Sequence, residues 1–287
     1  MPEHGKSWAI LHFLSKKPCG IPLHGMHKIT LSLPDMTQAL FSKLVLVWIA
    51  IAMILFPILL KVTAPYGRHT KNSWGPLIDN RIGWFLMELP ALLIFAYFLI
   101  RWGDFHNTVV LIAFILWIIH YFHRAVIFPF RINTGGKKMP VIIMLFAVFF
   151  NLFNGFFNGY WLGHLVPDFS SSSINYMRIA VGIALFITGF VINQYHDKIL
   201  INLRKNNKNS YQIPYGGLFR YISCPNFFGE IIEWLGFAVL VWSLPALSFL
   251  IWTWVNLVPR AIDHHRWYRG KFADYPSDRK AVIPFIL

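Results

Sequence analysis

The chain has 287 residues, is 56% hydrophobic and only 13% charged, and carries a formal net charge of +14. Soluble domains carry about a quarter charged residues, so this composition belongs to a membrane protein and leaves no room for a large soluble domain. The basic residues stand between apolar segments with no basic-aromatic module beside them, so no nucleic-acid partner is expected.

Residues 1–40 read as a tail. Their apolar run, Trp8 to Leu14, is broken by His12, and no small-residue cleavage site follows. From residue 41 to 287 a membrane domain is expected, all-α and polytopic. Seven transmembrane helices are predicted at 43–62, 82–101, 107–129, 140–165, 174–200, 224–245 and 246–265. The last two must form a tight hairpin at Leu244-Pro245. Gly155, Gly159 and Gly163, four apart, mark a small-residue packing face on the fourth. The regions 61–81, 124–138, 198–220 and 260–280 hold 19 of the Lys and Arg residues. Seven spans with a cytoplasmic C-terminus place all four regions on the cytoplasmic side. Lysines 6, 16, 17, 28 and 43 stand against that orientation. The membrane is the inner one in a bacterium, or the endoplasmic reticulum in a eukaryote.

Ionisable and amide side chains inside a span face a cavity, a partner or a ligand, because lipid cannot solvate them. Glu88 and Pro90 lie in the second span, and His120, Tyr121, His123 and Arg124 end the third. Asn151, Asn154 and Asn158 run through the fourth. Three stripes at helical spacing follow: Asn193/Asp197, Asn226/Glu230/Glu233 and Arg260/His264/Tyr268. Three such stripes, with Glu88 and Tyr121, point to a pocket for a polar ligand rather than to interhelical bonding alone. Gly216-Gly217 reads as a turn, with phosphate contact as its alternative. No G-x-G-x-x-G or Walker motif occurs, and His120-x-x-His123 and Asp263-His264-His265 lack a third histidine box. No metal is expected.

At this point a family becomes recognisable. The runs INQYHDKILINLRK, SYQIPYGGLFRYISCPNFFGEIIEWLGFAVLVWSLPALSF and RAIDHHRWYRGKFADYPSDRKAVIPFIL closely resemble the C-terminal half of the steroid 5α-reductases (3-oxo-5α-steroid 4-dehydrogenases). APYGRHT at 64–70, WFLMELPAL at 84–92 and HYFHRAVIFPF at 120–130 extend the resemblance toward residue 40. It implies an NADPH site in the C-terminal helices and a lipophilic 3-oxo-4-ene steroid, or a similar enone, among the N-terminal ones. At matching positions Glu88 and Tyr121 are implied as the catalytic dyad that engages the substrate carbonyl. Asn193, Asp197, Arg204, Tyr211, Asn226, Glu230, Arg260, His264 and Tyr268 are implied as cofactor contacts, and Trp84 and Trp234 as substrate walls. The chain departs from relatives at Gln212, Asp263 and Phe128, and in the lysines of NTGGKKMP.

The residue types suit reduction of a conjugated double bond. A tyrosine hydroxyl hydrogen-bonded to a buried acid can steady the charge that develops on the carbonyl oxygen. Arg204 and Lys205 at the membrane edge suit a 2′-phosphate. Alternatives are a related reductase of a polyprenol, enoyl thioester or sterol, a membrane methyltransferase, and a transporter, although internal repeats typical of transporters are absent. Membrane lipid is the expected surrounding, and a monomer the expected state.

Overall fold

Long apolar runs bounded by polar caps give a bundle of helices. The structure, a computed structural model, describes residues 36–62, 74–132, 134–165, 173–206 and 211–287. The predicted tail and the APYGRHT segment therefore lie outside the described residues. From Thr37 onward the chain forms one compact unit.

Helix α1 runs Gln38–Leu59, with the Thr37 hydroxyl accepting from the Leu40 amide as its cap. After it come α2 (Asn80–Trp102) and α3 (Thr108–Phe122). A π-helical turn, His123–Ile127, carries α3 into α4 (Phe128–Arg131). Then come α5 (Val141–Tyr160) and α6 (Ser173–Asn206). Finally α7 (Pro225–Val241) and α8 (Leu244–Lys271) end the bundle. Among the described residues, a two-stranded sheet and an isolated bridge between Ile222 and Lys280 depart from an all-α chain: β1 (Leu77–Asp79) pairs antiparallel with β2 (Lys138–Pro140), Ile78 opposite Met139.

Among the described residues, five rods are long and apolar enough to cross a membrane: Gln38–Leu59, Asn80–Trp102, Thr108–Arg131, Val141–Leu165 and Asn175–Arg204. They make the chain an integral membrane protein by composition. Helix α7, at 17 residues, falls short of that length, and the second half of α8 carries Arg260, Asp263, Arg266, Arg269 and Lys271. Seven predicted helices are thus present, five of them with the length and apolarity of a span.

The α7–α8 hairpin is as tight as expected, but its corner lies two residues earlier. Trp242 adopts the left-handed conformation (φ 51°, ψ 50°), and Ser243 caps α8 by accepting from the Ala246 amide. Leu244-Pro245 is already helical, because a proline in the first turn forfeits no hydrogen bond.

Aromatic side chains fill the bundle. Trp117 stacks on Phe95 at 4.2 Å and meets Trp234, Phe237 and Phe249. Trp48 lies 4.7 Å from the Trp252 ring and accepts at its carbonyl from Trp252 Nε1, which ties α1 to α8. Gly155, Gly159 and Gly163 face α2 at Ala91, Phe95 and Phe98, as their spacing implied. A second glycine face went unread. Gly182 and Gly189 on α6 oppose Gly236 and Gly229 on α7, so close that a Cβ at Gly189 would strike the Glu233 amide. Backbone cannot yield as a side-chain tip does. We expect Gly189→Ala to part these helices at a cost of roughly 1–3 kcal/mol or more, read as a lower thermal midpoint in detergent. An unchanged midpoint would show that the contact is loose.

Candidate active site

Pro90 interrupts the hydrogen-bond ladder of α2. Beside it the Met87 carbonyl accepts from Asn151 Nδ2 at 2.6 Å, and the same amide reaches Glu88 Oε2 at 3.3 Å. An asparagine on α5 thus holds Glu88 in place. The π-helical turn closing α3 keeps His120, Arg124, Phe128 and Ile132 along one wall. Turns of this kind gather at functional sites.

Arg124 is the hub. Its Nε lies 3.9 Å from Glu88 Oε1, its Nη1 3.6 Å from Asp197 Oδ2 and its Nη2 3.7 Å from Glu230 Oε2. The guanidinium is 4.7 Å from the ring centres of both Trp84 and Phe128. All three carboxylate contacts are ion pairs at distances beyond a hydrogen bond, so four helices contribute charge to one point without closing it. Nearby, His120 Nδ1 and Glu233 Oε1 approach to 2.7 Å in full burial, with Trp234 edge-on to the imidazole at 4.5 Å.

The glycine contact lets polar groups on α6 and α7 interlock. Asn193 Nδ2 donates to the Asn226 carbonyl at 3.0 Å and to Glu230 Oε2 at 3.4 Å, while Asn226 Nδ2 donates to Asp197 Oδ1 at 2.9 Å. Among the described residues, none donates a hydrogen bond to Asp197 Oδ2, which faces Arg124 Nη1 at 3.6 Å. Across the bundle, α8 turns Thr253, Asn256, Arg260, His264 and Tyr268 to the same side.

A cavity of about 450 Å³ joins these groups. Its lining is part apolar, with Leu59, Ile143, Phe146, Phe150 and Trp252, and part polar, with Asp197, Arg204, Asn226, Arg260 and His264. Glu88, Tyr121, Trp84, Trp234, Glu230 and Tyr268 line it as well. Two expected residues do not. Asn193 stands behind Asn226 as a brace. Tyr211 accepts from Lys137 Nζ at 2.7 Å and lies 5.9 Å from the Arg204 guanidinium. The Lys205 side chain lies outside the described residues.

The expected dyad is wired differently. Among the described residues no hydrogen bond joins Tyr121 to Glu88. The tyrosine oxygen instead accepts from Asn154 Nδ2 at 3.0 Å, because α5 lies close enough to offer an amide to each. The histidine pairs also part company: His123 contacts Arg131 and Gln194, and His265 Nδ1 meets Ser223 Oγ at 2.7 Å. Gly216-Gly217 is a turn, with φ of 98° and 52°. The following Leu218 amide donates to His196 Nε2.

Arg124, His120, Asn151, Asn154 and Asn256 carry no role that their local sequence assigns, yet the structure places them at the site. Their signal was present, since each is a polar residue within an apolar run.

A protein-family comparison matches residues 137–287 to 3-oxo-5-alpha-steroid 4-dehydrogenase. A steroid 5-alpha-reductase DET2 of Arabidopsis thaliana is 40% identical over 237 residues, covering 80% of this chain and 90% of the relative. The chain belongs to the steroid 5α-reductase family. This is a family of oxidoreductases, and membership spans kingdoms. The Gossypium hirsutum DET2 protein is 40% identical over 254 residues, 87% of this chain and 98% of the relative. The 3-oxo-5-alpha-steroid 4-dehydrogenase 1 of Rattus norvegicus is 38% identical over 231 residues, 79% and 87%. These plant and mammalian 5α-reductase alignments cover most of both chains.

Proposed function

We propose that this protein uses NADPH to reduce the 4,5 double bond of a 3-oxo-4-ene steroid or a closely similar enone. The observation that carries the reading is the cavity that joins Glu88 on α2 and Tyr121 on α3 to the polar set of α6–α8. The apolar, aromatic lining suits a lipophilic ring system. The polar lining suits a dinucleotide phosphate by its donor chemistry, with Arg204 and Arg260 as cations and the His264 ring as a further polar group. Asn226, Asp197, Arg204, Arg260, His264 and Tyr268 would hold the cofactor, with Asn193 bracing Asn226 and Tyr211 and Lys137 at the rim.

When bound, NADPH supplies a hydride to carbon. The chain's own residues do the rest. Tyr121 donates to the substrate oxygen, where negative charge grows as the β carbon takes the hydride, and Glu88 sets the field beside it. Trp84 and Trp234 keep water from the oxygen and position the rings. The α carbon then gains a proton, which completes a saturated ketone.

Orientation follows the same reading. Seven spans with the C-terminus in the cytoplasm put the basic connections together. Pairing of β1 with β2 and of Ile222 with Lys280 at one end of the bundle supports that arrangement.

The test is isotopic. Purified protein in detergent is given a 4-en-3-one steroid and NADPH deuterated at its transferable position. Deuterium is expected at C5 and none at C4, and the pattern is expected to reverse with ordinary NADPH in deuterated water. Deuterium on C3, with the double bond intact, would replace enone reduction with carbonyl reduction.

A further inference from the structure

The Tyr121 hydroxyl has one hydrogen to give, and its neighbours decide where it goes. Asn154 Nδ2 lies 3.0 Å from that oxygen, in full burial. An amide nitrogen can only donate, so the phenol oxygen accepts here and keeps its own hydrogen for another acceptor. The direction of the Asn154 amide is fixed in turn. Its Oδ1 accepts from Asn158 Nδ2 at 3.1 Å, and the Asn158 amide also donates to the Asn154 backbone carbonyl at 3.1 Å. Turning Asn154 over would set two NH₂ groups against each other and bring an amide oxygen to the phenol. Among the described residues no hydrogen bond runs from the Tyr121 hydroxyl to Glu88, whose carboxylate accepts from Asn151.

We propose that Asn154, locked by Asn158, is a positioning residue that aims the Tyr121 hydrogen into the cavity at the carbonyl oxygen of the substrate. This rests on the reading of Tyr121 as the group that meets that carbonyl. If the amides served only to join α3 to α5, any group that keeps the contact would do as well. Asn154→Asp separates the two roles. The carboxylate has the same shape and still bonds the phenol, but as an acceptor, so it draws the hydrogen away from the cavity. Asn154→Leu is the uncharged second variant. It removes the donor at nearly constant volume and weakens the phenol as a donor, since hydrogen bonds in a chain polarise one another.

The probe is a 4-en-3-one steroid carrying ¹³C at C3, whose carbonyl stretch is read by isotope-edited infrared spectroscopy. In the wild type the band is expected well below its position in apolar solvent. Asn154→Asp should return it to the position seen with Tyr121→Phe, and Asn154→Leu should move it part of the way. Turnover should fall about 10²-fold in Asn154→Asp, the scale of a lost oxyanion donor. It should fall no further when Asn154→Asp is added to Tyr121→Phe, since both act through one hydrogen bond. A lowered band that persists in both Asn154 variants, or turnover losses that multiply in the double mutant, overturns the proposal alone. A wild-type band that binding leaves unmoved overturns the reading of Tyr121, and the proposal with it.

Discussion

Arg124→Met is expected to lower the thermal midpoint in detergent by roughly 10 °C and to abolish turnover. The side chain faces Glu88, Asp197 and Glu230 at 3.6–3.9 Å, and it is only 13% exposed. Removing one partner from a buried charge cluster costs about 3–5 kcal/mol, because the remaining charges keep their desolvation penalty and lose their compensation. At about 2–4 °C per kcal/mol for a large domain, that gives the expected fall. Methionine keeps the packing on Trp84 and Phe128, so the loss reports charge. Adding Asp197→Asn and Glu230→Gln should restore much of the midpoint but none of the turnover, since those carboxylates line the cavity. A single mutant melting within about two degrees of wild type, well short of the roughly 6 °C that is the smallest shift such a cost implies, would show the hub to be slack.

That hub also marks the limit of what the sequence made legible. Helix bounds were readable because each rod is a long apolar run; the predicted 82–101 and 140–165 correspond to helices at Asn80–Trp102 and Val141–Leu165. Where a helix leaves the apolar region the signal fades. Helix α6 continues to Asn206, and α8 to Lys271, through charged turns that hydropathy cannot distinguish from a loop. The stripes on α6, α7 and α8 were readable by spacing, and most of their residues line the cavity. Arg124 was not assigned a role, because its meaning lies in three carboxylates from three other helices. No local pattern records that convergence. The glycine pairs on α6 and α7 did carry a signal, each seven residues apart, but a period of two turns matters only once the partner helix is known. The link from Tyr121 to Asn154 is of the same kind. The residue types pointed to an acid beside the phenol, and the helix packing supplied an amide.

Tyr121→Phe is the sharper test of the chemistry. Phenylalanine keeps the ring against Trp117 at 4.9 Å and Trp234 at 5.9 Å, so the cavity wall survives. What goes is one hydroxyl. Its loss leaves Asn154 Nδ2 without an acceptor, a stability cost of about 1–3 kcal/mol for a buried donor, and the melting point should fall by only a few degrees. The effect on rate should be far larger. In the ground state the hydroxyl meets a neutral carbonyl, and in the transition state it meets an oxygen carrying most of a negative charge. An interaction that strengthens along the reaction appears in kcat, whereas one of constant strength appears in KM. The expected result is a fall in kcat of about 10²–10³, with steroid KM little changed and NADPH affinity intact. A rise in KM at constant kcat would make Tyr121 a binding group with no part in the chemistry. Turnover close to wild type would reduce it to packing, and the oxygen's charge would then have to be met by Arg124.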